Sequence, residues 1–202
     1  MKEYSLSFTA GNLLFPETME VINIHLATLD WAVTQERVFA ENTLQYKSPK
    51  SSRRIFPEIK YRISQLSLEE LNYFLNSDKE TQIGILWIAI CLQYRLIYEF
   101  VSETIPQKII LLEENLTYPD YENFFEMKAT DSSWLTKTAE STRYKAKSIV
   151  FKMLTQVGII ENKKIIPMIL PPKLGEFIIQ KDVELLKLFP LTNSELGRWL
   201  ND

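Results

Sequence analysis

A mainly α fold is predicted for this 202-residue chain by three observations. Apolar residues recur at three- and four-residue intervals through most of its length. Only five glycines are available for tight turns. A single short segment, 159–168, reads as strand. The expected architecture is a multi-helix globular bundle over 1–202 with one small β-hairpin. It is divisible into a helical N-terminal portion, 1–112, and a C-terminal portion, 113–202, carrying a helix plus hairpin.

The elements are taken in chain order. Ser5–Phe15 is an extended or irregular lead-in, and Pro16 with Glu17 and Glu20 then opens a helix to about Thr28. Asp30 caps a second helix, with Trp31, Val33, Val38 and Phe39 at helical spacing to about Asn42. A basic stretch, Tyr46 to Arg62, holds Lys47, Lys50, Arg53, Arg54, Lys60 and Arg62 against Glu58 alone, +5 in a chain of net −3. Ser51 or Ser52 is the expected cap there, which places Arg53 and Arg54 in the first turn. Cations are unfavourable at that end of the helix dipole, so an outside anion such as a phosphate would fit. Ile55, Ile59, Ile63 and Leu66 form its apolar stripe, with Arg54, Lys60 and Arg62 beside or opposite it, and Pro57 is expected to kink the helix or delay its start. A solvated basic face is the plain alternative.

Ser67-Leu-Glu-Glu caps a short helix through Leu75. Lys79 to Leu92 is the most apolar helix; it breaks or continues near Tyr94, and Pro106 ends or bends the next stretch of helix. Its ten-residue run Ile83–Leu92 is too short to span a membrane, which takes about 20 residues. No secretory leader is visible, and a cytoplasmic protein is expected. Cys91 lies inside that run and reads as core filler; a lone cysteine forms no internal disulfide.

From Glu113 to Asp131 the charge reverses, with six acids against Lys128. Thr117-Tyr-Pro-Asp begins a helix there. Glu140 to Gly158 is an amphipathic helix with Ala146, Ile149, Val150, Met153, Leu154 and Val157 on one side. Arg143, Lys145, Lys147 and Lys152 supply its charge. The hairpin comes at once, with Lys163 and Lys164 at its turn. Helix then hairpin is the order of a recognition helix and wing in a winged helix-turn-helix, in which the helix enters the major groove and the wing rests on the backbone. The same pattern also suits a helix and hairpin that only close the core. Helices Pro172–Gln180 and Lys181–Leu188 and a last turn Ser194–Leu200 complete the chain.

Catalysis is not expected. The sequence has no phosphate-binding loop, no dinucleotide fingerprint and no nucleophile elbow. His25 is the sole histidine, so neither a zinc site nor a triad is expected, and no cofactor is implied. The irregularly spaced acids read as a solvated face rather than a metal site.

Several segments together resemble one family. They are Phe8–Phe15, Glu41–Gln45, Ser51-Ser-x-Arg-Arg54, Leu86–Cys91, Tyr94-Arg95, Thr142-Arg-x-Lys145 and Val150–Leu154. In order and spacing they are similar to the BrxA family, encoded in BREX bacteriophage-exclusion loci and often labelled putative inner-membrane proteins. The resemblance covers about residues 4–190 and implies a small helical DNA-binding protein, similar in fold to the antitermination factor NusB. It also implies an accessory role in antiviral defence beside the BREX methyltransferase, ATPase and phosphatase-like proteins. It carries no catalytic residues.

The expected partner is therefore double-stranded DNA, held through phosphates by Lys47, Lys50, Ser51, Ser52, Arg53, Arg54, Lys60 and Arg62 and by Arg143, Lys145, Lys147, Lys152, Lys163 and Lys164. Little sequence preference is expected. The alternative is a scaffold within the BREX complex, contacting another protein through the acidic 113–131 region with Tyr118 and Tyr121.

Overall fold

The computed structural model describes residues 3–200, which divide into two compact units, residues 10–93 and residues 3–9 with 94–200. The division falls at Tyr94 rather than near residue 112. Tyr94 is in extended backbone between two helices, φ −115° and ψ 95°, and the helical hydrogen bonding stops there.

In the first unit, α1 (Phe15–Thr28) opens after Leu14 in left-handed backbone, with Pro16 in its first turn. It packs on α2 (Trp31–Ala40), whose cap is Asp30 as the sequence predicts; Asp30 Oδ1 accepts from the N–H groups of Ala32 and Val33 at 2.6 and 3.1 Å. His25 stacks on Trp31 at 3.6 Å and faces Thr34 Oγ1 through Nδ1. Burial, with the Lys60 cation nearby, lowers its pKa.

The basic helix, α3 (Pro49–Ile63), starts earlier than expected. Ser48 is the N-cap and Pro49 the first helical residue, so Arg53 and Arg54 fall in the second turn and only Lys50 meets the positive end of the dipole. Pro57 neither delays nor ends it. Proline here forfeits only a bond to the Arg53 carbonyl, on the exposed side of the helix. The inner side seats Ile55, Ile59 and Ile63 against α5. A capping box between Ser67 and Glu70 starts α4 (Leu68–Leu75), and α5 (Lys79–Gln93) is buried almost all round, Cys91 included.

In the second unit the N-terminal arm includes a short 3₁₀ turn, Ser7–Ala10, where irregular chain is expected. Phe8 packs edge-on against Tyr94, and Tyr4 donates to Glu99 at 2.7 Å. Helix α6 (Arg95–Ile110) runs through Pro106 without ending. Glu114–Leu116 then pairs with the hairpin through an Asn115–Lys164 bridge and the bonds Ile165 N–H to Glu114 O (2.7 Å) and Leu116 N–H to Lys163 O (2.8 Å). Next come α7 (Tyr118–Thr130), a one-turn α8 (Ser133–Thr136) that was not anticipated and that Ser132 caps by accepting from Leu135 N–H, and α9 (Glu140–Val157). Gly158, at φ 85°, closes α9 and turns the chain into β1 (Ile160–Glu161), antiparallel to β2 (Lys164–Ile165).

Helix α10 (Pro172–Lys181), a 3₁₀ segment Val183–Leu188 where an α-helix is expected, and α11 (Asn193–Leu200) complete the unit. Gly175 lies mid-helix, where glycine lowers helix propensity, because the indole of Trp199 occupies the place of its side chain. An added Cβ would lie 2.1 Å from that ring. Trp199 is itself held by its N–H donating to buried Glu195 at 2.9 Å, which also accepts from Leu170 N–H. Gly175→Ala is expected to destabilise this unit by about 1–3 kcal/mol through overpacking, despite alanine's better propensity. Denaturant unfolding and a red shift of the Trp199 emission would show it; unchanged stability would mean that the ring swings aside freely.

Candidate nucleic-acid interface

Helix α9 is fixed from within and on one flank. Ala146, Val150, Met153, Leu154 and Val157 are buried. On the flank toward α7, Arg143 donates from Nη1 to Glu126 at 2.7 Å, and from Nε and Nη2 to the carbonyls of Thr138 and Thr136 at 3.0 and 2.9 Å. It also lies over Phe125. Lys147 is buried, paired with Glu122, and sits over the rings of Tyr118 and Tyr144. These two cations are therefore withdrawn from the expected phosphate-contacting set, because their charge is already matched inside the unit.

What remains outward is a single row. Ser141, Lys145, Ser148 and Lys152 are exposed at four-, three- and four-residue intervals, and neither lysine forms an ion pair with a described residue. Tyr144 is also exposed beside them. The two serines and Tyr144 were not anticipated, although the spacing that marks the apolar side also marks this opposite one.

The hairpin after α9 ends in a two-residue turn, Asn162-Lys163, with both residues at positive φ (48° and 68°). Hairpin turns of this shape favour glycine at the second place. Here that place holds an exposed lysine, whose Nζ lies 5.7 Å from the Tyr118 ring. Lys164 is exposed too and pairs with Glu114 at 3.3 Å, a surface contact of small worth.

The first unit carries its own basic row. Lys47, Lys50, Arg53 and Arg54 are exposed and form no ion pair with described residues; Pro57 and Tyr61 continue the same face. Ser51 is half-buried at its edge. Three expected contacts are displaced from it. Arg62 is 0% exposed, Ser52 is buried with no hydrogen-bond partner for its hydroxyl, and Lys60 lies 5.2 Å over the Trp31 ring. Arg62 bridges Glu58 at 2.8 Å and donates to the carbonyls of Gly11, Asn12 and Leu13. It is a strut of the fold rather than a surface group. Tyr121, expected at a protein contact, is buried as well.

Among the described residues no group of three or more His, Cys, Asp or Glu side chains could hold a metal. No single helix is long and apolar enough to cross a membrane.

From α6 through the bridged strand segment, α7, the one-turn α8 and α9 to the β1–β2 hairpin, the second unit is helical with one small antiparallel hairpin, and the chain as described is a mainly helical protein. A family model described as BrxA matches residues 2–182, and the chain belongs to the BrxA family. It is accordingly a component of a BREX phage-defence system. "BREX protein BrxA" of Bacillus cereus (strain H3081.97) is 26% identical over 162 residues, 80% of each chain. The protein of that name from Escherichia coli O9:H4 (strain HS) is 20% identical over 154 residues, 76% of this chain and 72% of its own. In fold the chain is similar to an uncharacterized protein from Magnetospirillum magneticum, with a TM-score of 0.81 at 15% identity, covering 93% of this chain and 98% of the other.

Proposed function

We propose that the protein is a non-catalytic accessory component of its BREX system that binds double-stranded DNA in the cytoplasm, chiefly through phosphates. The observation that carries this reading is Lys163. A lysine at the left-handed second position of a two-residue hairpin turn weakens the turn relative to glycine, and its ammonium stands exposed at the tip of the wing, the element that meets the sugar-phosphate backbone in winged-helix proteins. The free lysines of α9 give the accompanying helix a matching sign. Serine is tolerant of any base edge, so the row Ser141, Lys145, Ser148 and Lys152 fits a helix that follows the groove with little sequence preference. The exposed row of α3 supplies a second cationic surface on the other unit. A net charge of −3 does not oppose this, since charge segregated into local patches is what a nearby phosphate meets.

The test is anisotropy of a labelled duplex titrated with the full chain between about 50 and 200 mM salt, for the native protein and for Lys163→Gly. The expected result is salt-sensitive binding that Lys163→Gly weakens while the hairpin becomes no less stable, because glycine adopts positive φ freely. Absence of binding at low salt, or a Lys163→Gly variant that binds as tightly as the native protein, would remove the reading.

A further inference from the structure

The C-terminal end of α6 carries a residue choice that the fold does not explain. The carbonyl of Lys108 accepts from Glu113 N–H at 2.8 Å and that of Ile109 from Leu112 N–H at 3.2 Å, the bond pair of a Schellman closure. The left-handed residue of that closure, ordinarily glycine, is Leu112 at φ 58°. A side chain there carries a steric cost, and Leu112 recovers nothing by burial, since it is 88% exposed. Its chain neighbours Ile110 (79%) and Leu111 (58%) are exposed as well, and so is Met127 (54%) on α7.

Leu111, Phe124 and Met127 line a cleft of about 290 Å³ between the end of α6 and α7, bordered by Glu103, Glu113 and Asp120. Its single lining cation, Lys108, is buried beneath that border, 2.7 Å from Glu113 and 2.9 Å from Asp120. Lys128 reaches Glu103 from the side at 2.7 Å and is mostly buried as well. Leu111, Phe124 and Met127 thus share the cleft with the polar side chains of Thr104, Gln107 and Asn123, between carboxylates whose paired ammonium groups are mostly buried.

We propose that this face docks a basic amphipathic helix of another protein, with apolar side chains of the partner on Leu111, Leu112 and Met127 and its lysines or arginines against Glu103 and Glu113. Helix-in-groove recognition needs this pairing of an apolar seat and a complementary charged margin. A nucleic acid is disfavoured by the sign of the margin. A second copy meeting the same patch about a two-fold axis would bring carboxylates against carboxylates. The inference stands apart from the DNA reading, because no residue of either basic row takes part in it.

The probe is a fluorescein-labelled helical peptide of about 20 residues with leucines at i, i+3, i+4 and i+7 and lysines on both flanks, beside the same peptide with glutamates in place of the lysines, each titrated with the full chain. The lysine peptide is expected to bind at least about tenfold more tightly than the glutamate one, and Leu112→Gly and Met127→Ser are each expected to weaken it by about tenfold. Leu112→Gly should at the same time keep or raise the thermal midpoint, since glycine takes the left-handed place without strain. That opposite movement separates a docking role from a structural one. Equal affinity for the two peptides, no binding of either, or native affinity in Leu112→Gly would overturn the proposal. So would displacement of the peptide by duplex DNA, which assigns the face to nucleic acid, or dimerisation that Leu112→Gly abolishes, which assigns it to self-association.

Discussion

Arg62→Ala is expected to destabilise the unit spanning residues 10–93 by about 3–5 kcal/mol, the range for breaking a buried ion pair from one side. The substitution leaves Glu58 buried without its guanidinium and strips donors from three successive carbonyls, Gly11, Asn12 and Leu13. Each unsatisfied group adds its own desolvation cost. Because those carbonyls belong to the lead-in that ends at left-handed Leu14, the loss should spread from α3 into the start of α1. Hydrogen exchange read by mass spectrometry would show protection falling across 10–93. A paired Glu58→Leu/Arg62→Met variant should recover part of the loss, since apolar groups of similar size can replace a buried pair, but not all of it, since the guanidinium's bonds to the three carbonyls are not restored. A loss below about 1 kcal/mol for Arg62→Ala would show that water reaches Glu58 and that the pair is not truly buried.

Arg62 also shows where sequence reasoning stops. Helical periods and caps were legible because they depend on neighbours three or four residues apart: Asp30, Ser67–Glu70, Thr117–Asp120 and Gly158 all act as local chemistry predicts, whereas the same periodicity left open whether the helix breaks at Tyr94. Charged side chains are harder. Arg62 sits three residues after Ile59 and four before Leu66, both buried, so its spacing placed it on the inner side. Its charge type alone made it look like a surface group. Arg143 and Lys147 repeat the case, spaced with Val150 and Leu154 toward the interior. Whether a cation faces a phosphate or a carbonyl is decided by groups distant in sequence, here residues 11–13 for Arg62 and Glu122 and Glu126 for α9. The start of α3 was misplaced for a different reason. Two serines inside the helix competed with Ser48 as caps, and only the first helical position of Pro49, a place that needs no N–H donor, decides between them. The strand segment before α7, which pairs with the hairpin, has no alternation to mark it, because a single bridge defines it.

Neutralising the two basic rows separately is expected to give the largest functional effects. Removing one phosphate contact should reduce the magnitude of the slope of log affinity against log salt by about 0.9. Lys145→Gln/Lys152→Gln/Lys163→Gly removes three free cations from the second unit, so the slope should fall by about 2.7, roughly a 40-fold smaller change in affinity over a fourfold range of salt. Lys50→Gln/Arg53→Gln/Arg54→Gln removes three from the first unit, and the same reduction is expected if α3 lies on the duplex. As an internal control, Lys164→Gln should change the slope less, because Glu114 already neutralises some of that charge. The serines of α9 should behave differently again. Ser141→Ala and Ser148→Ala remove groups that can reach base edges but no charge, so affinity can fall while the salt slope holds. If the α9 and hairpin substitutions leave the slope unchanged while those on α3 reduce it, DNA is held by the basic helix alone, and α9 with its hairpin serves only to close the core.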